Sequence, residues 1–208
     1  MDILYMVIKY TTMSQIKLFP TIFILIFSCT FDRQHNNTSL DESETIVSID
    51  TVGIMIIEKN LKNQLNEYLI AFNGGDPDKA VSYCYPDMFV YLKQKYPVEY
   101  SMEAIKESCI REPVRNMKRM MEEKNVTYEF KIGEITKRID LGTDKIYIVV
   151  TSLIAKRDLD EITMGDKIVA ISNDNGQNWT FMQKNPESTP PVLKMKFSQE
   201  VVRQVMSE

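Results

Sequence analysis

The chain has 208 residues, with 25 Lys and Arg against 29 Asp and Glu and a single His, and its net charge at pH 7 is −4. Hydrophobic residues make up 44% of the chain, which is enough for a core and excludes a wholly disordered protein. The acidic balance argues against a nucleic-acid-binding surface. Three cysteines give neither a disulfide framework nor a CxxC metal motif, and no P-loop or other cofactor motif is present.

An apolar run follows Lys17 and ends at Cys29. It is about half as long as a membrane-spanning helix and matches the apolar region of a signal peptide. Its end, Ile26-Phe27-Ser28-Cys29, resembles the lipobox of bacterial lipoproteins, where a signal peptidase cuts before a Cys that is then acylated. The resemblance implies a signal peptide over residues 1–28, lipidation of Cys29, and an exported protein anchored to a membrane of the bacterial cell envelope. An uncleaved anchor helix or a chance apolar run is the alternative.

Residues 29–52 are polar, rich in Asn, Ser, Thr and acidic side chains, and without helical or strand periodicity. Such a composition buries too little apolar surface to order itself, so we expect a flexible tether. His35, the single histidine, lies in this segment. The remainder, residues 53–208, is expected to form one domain with a C-terminal extension.

Helices dominate the first half of this domain. Apolar residues at helical spacing from about Ile54 predict a long helix that ends at Gly74-Gly75. Asp76-Pro77 predicts the start of a second, short helix, and Ser101 the start of a third. Pro113 interrupts the third helix and predicts either a kink or a new helix start.

Strands dominate the second half. We predict a first strand at Asp87–Leu92, followed by four antiparallel strands around residues 126–132, 146–154, 167–172 and 178–183, with a bulge at Gly133. The 146–154 run is apolar throughout, so both of its faces should be buried. Only the early helices are expected to cover the sheet, and Ser198 is expected to begin a terminal helix. The pattern predicts an α+β fold, a curved antiparallel sheet wrapped around a long N-terminal helix.

The order of these elements carries a resemblance. Leu65–Phe72 leads into Gly74-Gly75-Asp76-Pro77 and then into Tyr83-Cys84-Tyr85-Pro86, which resembles the nuclear-transport-factor-2-like superfamily, with its cystatin-like, cone-shaped fold. The resemblance implies a pocket at the open end of the cone and a homodimer through the sheet face as one assembly. Residues able to line such a pocket are Tyr68, Phe72, Tyr83, Tyr85, Tyr91 and Glu129.

Two functions are compatible with this resemblance. One is a non-catalytic domain that binds a small apolar ligand or a partner protein. The other is a pocket enzyme of the ketosteroid isomerase or SnoaL-like cyclase type, with Asp87, Glu129 or Asp166 as general base. No spacing selects a catalytic residue, and the domain has no His to transfer protons near neutral pH. We expect Glu129 and Asp166 to lie on a polar face or beside a turn, with ordinary pKa values, which favours the binding domain.

Ser172, Asp174, Gly176 and Trp179 match the Asp-box pattern S-x-D-x-G-x-x-W of sialidase propellers. A propeller needs several such repeats, and one copy is present. We therefore interpret these residues as a structural hairpin turn, in which Ser and Asp bond backbone N–H groups and Trp packs on the hairpin.

Cys84 and Cys109 remain once Cys29 is assigned to the lipid. Both fall on apolar helix faces, so they are predicted to be buried free thiols rather than a disulfide.

Overall fold

The computed structural model describes residues 51–97 and 101–207, and within them the chain forms an α+β fold. The predicted signal peptide, Cys29 and nearly all of the tether lie outside the described residues. The helices are α1 (Thr51–Gly74), α2 (Pro77–Tyr83), α3 (Pro86–Lys95), α4 (Met102–Lys106), a π-helical turn (Glu107–Arg111), α5 (Glu112–Lys124), α6 (Thr189–Leu193) and α7 (Gln199–Met206).

The sheet is antiparallel and curved, in the order β1-β2-β3-β4. Its strands are β1 (Thr127–Leu141), β2 (Asp144–Arg157), β3 (Asp160–Ser172) and β4 (Thr180–Gln183). The four predicted antiparallel strands are confirmed, although β1, β2 and β3 run several residues past the apolar cores that identified them. The register of β1 against β2 shifts between Ile132 and Ile135. This confirms the predicted bulge at Gly133, and a bulge bends the strand that contains it.

The two ends of the sheet differ in the turns that they contain. The proximal end holds the β1–β2 turn at Gly142-Thr143 and the β3–β4 turn, residues 173–179. The distal end holds the β2–β3 turn at Asp158-Leu159. Because β1 to β3 are long, the two ends are roughly 40 Å apart along β2.

The helix boundaries follow the capping signals. Gly75, just past α1, has a φ of +73°, which L side chains rarely adopt. Asp76 caps α2 by accepting a hydrogen bond from the Lys79 N–H at 3.0 Å, and Pro77 occupies the first turn. Ser101 caps α4 in the same way and Ser198 caps α7. These predicted starts are confirmed.

The strand predicted at Asp87–Leu92 is wrong, because these residues lie in helix α3. Pro86 fits the first helical turn, and Phe89 and Leu92 are buried at a helical spacing of three. The extended segment lies just before it. Cys84 forms an isolated parallel bridge with Phe181, and the Tyr85 N–H donates to the Phe181 carbonyl at 2.9 Å, along the edge of β4.

The helix that contains Pro113 continues through it. One π-helical turn, Glu107–Arg111, precedes the proline, and the Glu112 N–H donates to the Glu107 carbonyl five residues back. Proline has no N–H and its ring crowds the preceding turn, so a widened turn removes the conflict without ending the helix.

Helices cover both faces of the proximal half of the sheet. On the inner face, α1 packs Leu61, Leu65 and Leu69 against β2 and its neighbours. On the outer face, α6 and α7 pack Val192, Leu193, Val201, Val202 and Val205 against the sheet. Strand β2 is therefore buried on both faces, as predicted. The expectation that only the early helices cover the sheet is wrong, since the C-terminal extension supplies the second layer.

Helix α1 is bonded to β1 at two widely separated points. Near its start, Glu58 Oε1 lies 2.5 Å from Arg138 Nε. Near its end, the Asn73 side-chain amide donates to the Tyr128 carbonyl at 3.2 Å. The helix thus follows the inner face from the proximal to the distal end.

The β3–β4 turn is locked internally. Asp174 Oδ1 accepts from the Ser172 hydroxyl at 2.7 Å and from the Asn178 N–H at 2.9 Å. These hydrogen bonds lower the pKa of the Asp174 carboxyl, the backbone bond from Asn178 most of all. The Trp179 indole N–H donates to the Gly176 carbonyl at 3.0 Å, with the ring buried against Tyr147.

The same turn is docked onto α1. The Asn60 amide donates to the Gly176 and Gln177 carbonyls at 2.7 and 2.8 Å. The Gln64 amide donates to the Gln177 carbonyl at 2.8 Å, and its oxygen accepts from the Trp179 N–H at 2.9 Å. These contacts, here called the amide latch, support the structural interpretation of the turn.

Replacing Gly176 tests the fit of the turn to α1. Its φ is +84°, and a Cβ there would approach Ile57 Cγ2 to 2.8 Å. Gly142 is a matched control, with a φ of +70° and no atom within 4 Å of the same position. We expect Gly142→Ala to lower the free energy of unfolding by about 1 kcal/mol and Gly176→Ala by about 3 kcal/mol, measured by urea denaturation. Equal losses would show that the turn is not packed tightly on α1.

Candidate functional site

Three of the six predicted pocket residues lie together. The ring of Tyr68 is 6.0 Å from that of Phe72 and 6.4 Å from that of Tyr83, and it stacks on Phe181 at 5.5 Å. Tyr83 donates its hydroxyl to Glu67 Oε2 at 2.8 Å. This aromatic cluster joins the distal half of α1 to β4. Phe181 was missed from the sequence, because an aromatic residue within a strand is most simply a core residue.

Tyr85 and Tyr91 lie elsewhere. Tyr85 belongs to the outer-face core and Tyr91 packs against it, although Tyr91 also packs against the core of the early helices, which Tyr68 contacts too. Tyr85 donates to Asp87 Oδ2 at 2.7 Å. Burial and this bond hold the pKa of the Tyr85 hydroxyl well above its usual value. These two tyrosines are therefore not part of the aromatic cluster around Tyr68.

Glu129 is also separated from the aromatic cluster. It is exposed and lies 3.7 Å from Lys131 and 3.6 Å from Lys156. Its neighbour Phe130 packs against the inner-face core, so Glu129 points to the outer face. The structure does not bring Glu129 to the inner-face residues.

Asp166 is the carboxylate that the structure places on the inner face. It pairs with Thr151 across β2 and β3, in the row next to Val149 and Ile168. Its Oδ1 accepts from the Lys167 N–H at 2.7 Å and its Oδ2 from the Gln183 amide at 2.7 Å. Burial raises the pKa of Asp166 to about 6, against the lowering effect of these bonds.

The expectation of an ordinary pKa for Asp166 is therefore wrong. The sequence held a signal for this position. Along β3, polar residues alternate with Ile162, Met164, Asp166 and Ile168. The period of two therefore places Asp166 on the same face of the strand as three apolar side chains. The adjacent Gly165 and Lys167 suggested a polar turn and hid the alternation.

Tyr68 faces two polar groups. Burial raises the pKa of its hydroxyl well above the usual value, and the nearby Cys84 thiol and Asp166 carboxylate raise it further. Such a hydroxyl can donate a hydrogen bond but releases its proton poorly.

The two cysteines of the domain are buried free thiols, as predicted. Burial raises the pKa of Cys84 to about 12 and that of Cys109 to about 11. Because the thiolate is the reactive form, these side chains act as small apolar groups of the helical core.

Half-buried apolar side chains extend from Asp166 towards the distal end. Two rows of the inner face, Phe130-Leu153-Met164 and Tyr128-Ala155-Ile162, continue the row of Asp166. Above them lies Asn73, whose Oδ1 is buried and has no hydrogen-bond partner among the described residues. An unpaired buried acceptor is costly in a folded protein and is often completed by a water or a ligand. We call Asp166, Asn73 and these two rows the distal site.

The distal site offers acceptors rather than a metal centre. In the described part of the chain, no three His, Cys, Asp or Glu side chains are grouped so that they could hold a metal ion. None of the described helices combines the length and apolar character needed to span a bilayer. An open groove of about 560 Å³ lies between α6 and α7 on the outer-face side, and Glu200 and Arg203 on its rim pair with each other.

Comparison with protein-family models, with curated proteins and with solved structures finds no match for this chain. Its class is therefore given by its own architecture, a curved four-stranded antiparallel sheet with helices on both faces. The function has to be argued from the distal site.

The raised pKa of Asp166 has a consequence for stability. A carboxyl with a pKa of about 6 when folded, against an ordinary value of 3.8, binds more protons in the folded state. Its stabilising contribution is present below pH 4 and is lost as the pH rises to about 6. We expect Asp166→Asn to raise the free energy of unfolding at pH 8 by up to about 3 kcal/mol, and to give little gain at pH 4.

The asparagine can keep both contacts, since the Gln183 amide can turn to accept from it. Asp160→Asn, on an exposed position of the same strand, is the control and should change stability little at either pH. Urea denaturation at pH 4, 6 and 8 measures the difference. A gain that is the same at all three pH values would show that Asp166 is not buried in its charged form.

Proposed function

We propose that this protein is an exported bacterial lipoprotein, held at the cell envelope by an acylated Cys29, whose domain is nuclear-transport-factor-2-like and binds a small apolar ligand at the distal site. An apolar segment of a partner protein is the other occupant of the same chemistry. The observation that most supports binding at the distal site is the position of Asp166. This ionisable side chain lies among apolar residues of β3, where its charge destabilises the fold. Proteins retain such costs mainly where function requires them.

The architecture supports the superfamily assignment in part, since one element of the predicted order, the strand at Asp87–Leu92, is helix α3. A long helix crosses one face of a bulged antiparallel sheet, the helices precede the strands, and the aromatic cluster lies under the distal half of α1. The superfamily places its pocket at the open end of the cone, and the distal site corresponds to that position. Glu129, Lys131, Lys156 and Glu161 make the distal outer face strongly charged. A homodimer through this part of the sheet would have to bury those charges, which gives it little support.

The distal site suggests the chemistry of its ligand. Tyr128, Phe130, Ile132 and Met164 offer an apolar surface. Asp166, when ionised, and Asn73 Oδ1 are hydrogen-bond acceptors. A small apolar molecule with one or two hydroxyl or amino groups fits both properties, because each buried acceptor then gains a donor.

The second candidate is the pocket enzyme of the isomerase or cyclase type, and one observation favours it. A carboxylate with a pKa of about 6, close to a Tyr hydroxyl, is suited to proton transfer near neutral pH. Against it, the raised pKa of Tyr68 makes that hydroxyl a poor acid. The candidates separate with Asp166→Asn. An enzyme would keep its ligand affinity and lose turnover, whereas a binding protein would change its affinity.

Two neighbouring residues of β3 test the distal site. Met164 lies in the inner-face rows, and Thr163 points to the outer face. We expect Met164→Gln to weaken binding of the neutral apolar probe N-phenyl-1-naphthylamine about tenfold, because an amide would be desolvated in the site. Thr163→Gln should leave the affinity unchanged. Fluorescence titration measures both, and equal effects would place the probe elsewhere.

The anchor is tested in cells. We expect metabolic labelling with a fatty acid to label the wild-type protein and not Cys29→Ala, because Cys29 is the acylated residue. Cys84→Ala is the control and should remain labelled, since its thiol is buried. Equal labelling of wild type and Cys29→Ala would contradict the lipoprotein assignment.

A further inference from the structure

Of the eight exposed large hydrophobic side chains in the described residues, five lie at the proximal end of the domain; the other three are Ile70 (58%), Val90 (36%) and Leu159. Among the described residues, large hydrophobic side chains are most exposed on the first turns of α1, at Val52 (67%), Met55 (65%) and Ile56 (64%), apart from Leu159 at the distal tip. Leu141 in the β1–β2 turn and Met195 between α6 and α7 are each 40% exposed. These five residues come from three separate segments.

Contacts between neighbouring residues bring the three segments to the same end. Ile57, next to Ile56, lies against Gly176 in the β3–β4 turn. Glu58 pairs with Arg138, three residues before Leu141. Lys196, next to Met195, lies 3.0 Å from Asp144, which pairs with Leu141 across the hairpin. The apolar side chains therefore share one end of the molecule, which we call the proximal apolar end.

We propose that the proximal apolar end rests on the lipid surface to which Cys29 is anchored. The inference depends on the proposed lipidation and adds an orientation to it. The described chain begins at this end, at Thr51, and residues 30–50 can span at most about 75 Å from the acylated Cys29. The anchor therefore permits contact with the membrane without enforcing it, and the exposed side chains supply the attraction.

The charge of the chain favours apolar insertion over ionic attraction. Removal of residues 1–28, which carry Asp2, Lys9 and Lys17, changes the net charge from −4 to −5, which gives no attraction to an anionic bilayer. Apolar side chains at a membrane interface need no such attraction, and a weak contact becomes stable when a covalent lipid adds a second point of attachment. Lys59 and Lys62 follow on the exposed side of α1, one to two turns after Met55, at the depth of the lipid headgroups.

This orientation has a functional consequence. The distal site extends from Asp166, in the middle of β3, towards the end of the sheet that lies opposite the proximal apolar end. With the proximal end on the bilayer, Asp166 and the two apolar rows face away from the membrane. A ligand or partner would then reach the site from the aqueous side.

Two tryptophan variants test the contact in the full acylated protein. Leu141→Trp places a probe at the proximal end, and Leu159→Trp places one at the distal tip, where the side chain is fully exposed. The native Trp179 is buried and common to both. Each variant is reconstituted into phosphatidylethanolamine–phosphatidylglycerol vesicles with and without brominated phosphatidylcholine.

We expect brominated lipid to quench the added fluorescence of Leu141→Trp at least twofold, with a blue shift, and to leave Leu159→Trp unchanged. Equal quenching of the two variants, or none, overturns the proposal. Intact mass separates the two levels of the argument. A chain without acyl groups contradicts the lipoprotein and this contact together. An acylated chain without quenching contradicts the contact alone.

Discussion

The two-point attachment of α1 to β1 determines most of the remaining structure. Between Glu58 and Asn73 the helix advances roughly 22 Å, whereas an extended strand from Arg138 back to Tyr128 covers roughly 33 Å. Both pairs are bonded, so the strand has to bend towards the helix and cross it at an angle. The bulge at Gly133 lies between the two attachment points and lets it do so. The curvature of the sheet is thus tied to a mismatch in rise per residue.

The amide latch fixes where α1 lies along this curved face. The side chains of Asn60 and Gln64 make four hydrogen bonds to backbone groups of the β3–β4 turn, so α1 cannot shift along the sheet without breaking them. With the helix so placed, its apolar residues up to Leu69 bury the proximal rows of the sheet. Its last turns reach the row of Asp166 with Tyr68 and end at Asn73. The distal rows beyond remain half-buried, and this gives the distal site its apolar surface.

The sequence predicts those parts of the fold that depend on local signals. The end of α1 at Gly75 and the starts of α2 at Asp76 and α4 at Ser101 depend on local capping signals, and these boundaries were predicted correctly. The long apolar strand required a helix on each face, but sequence alone could not show that α6 and α7 would fold back as the second layer, because that contact is non-local. The prediction of a strand at Asp87–Leu92 was wrong because alternating and helical spacings cannot be distinguished in six residues.

The candidate site was harder to predict than the fold. Tyr83 is the last residue of helix α2, whereas Tyr85 follows the extended residue Cys84, and this change of backbone conformation directs Tyr83 to Tyr68 and Tyr85 to the opposite core. Glu129 and Asp166 are both strand carboxylates, yet one faces water and the other an apolar row. Their difference follows from the alternation of side chains between the two faces of each strand. Once Phe130 and Ile168 are assigned to the core, this alternation places Glu129 on the outer face and Asp166 on the inner face. The pKa of Asp166 then depends on burial, which only the assembled layers determine.

The two ends of the domain therefore differ in how firmly they are held. At the proximal end, the amide latch, the Asp174 turn and the Lys196–Asp144 pair tie α1, the sheet and the C-terminal helices together. At the distal end, long strands carry half-buried side chains and a carboxylate whose charge opposes folding. Local opening costs least where buried contacts are fewest, so the distal rows are the part of the sheet best able to adjust around a ligand. A firmly bonded proximal end and an adjustable distal end are consistent with the proposed attachment at one end and the proposed binding at the other.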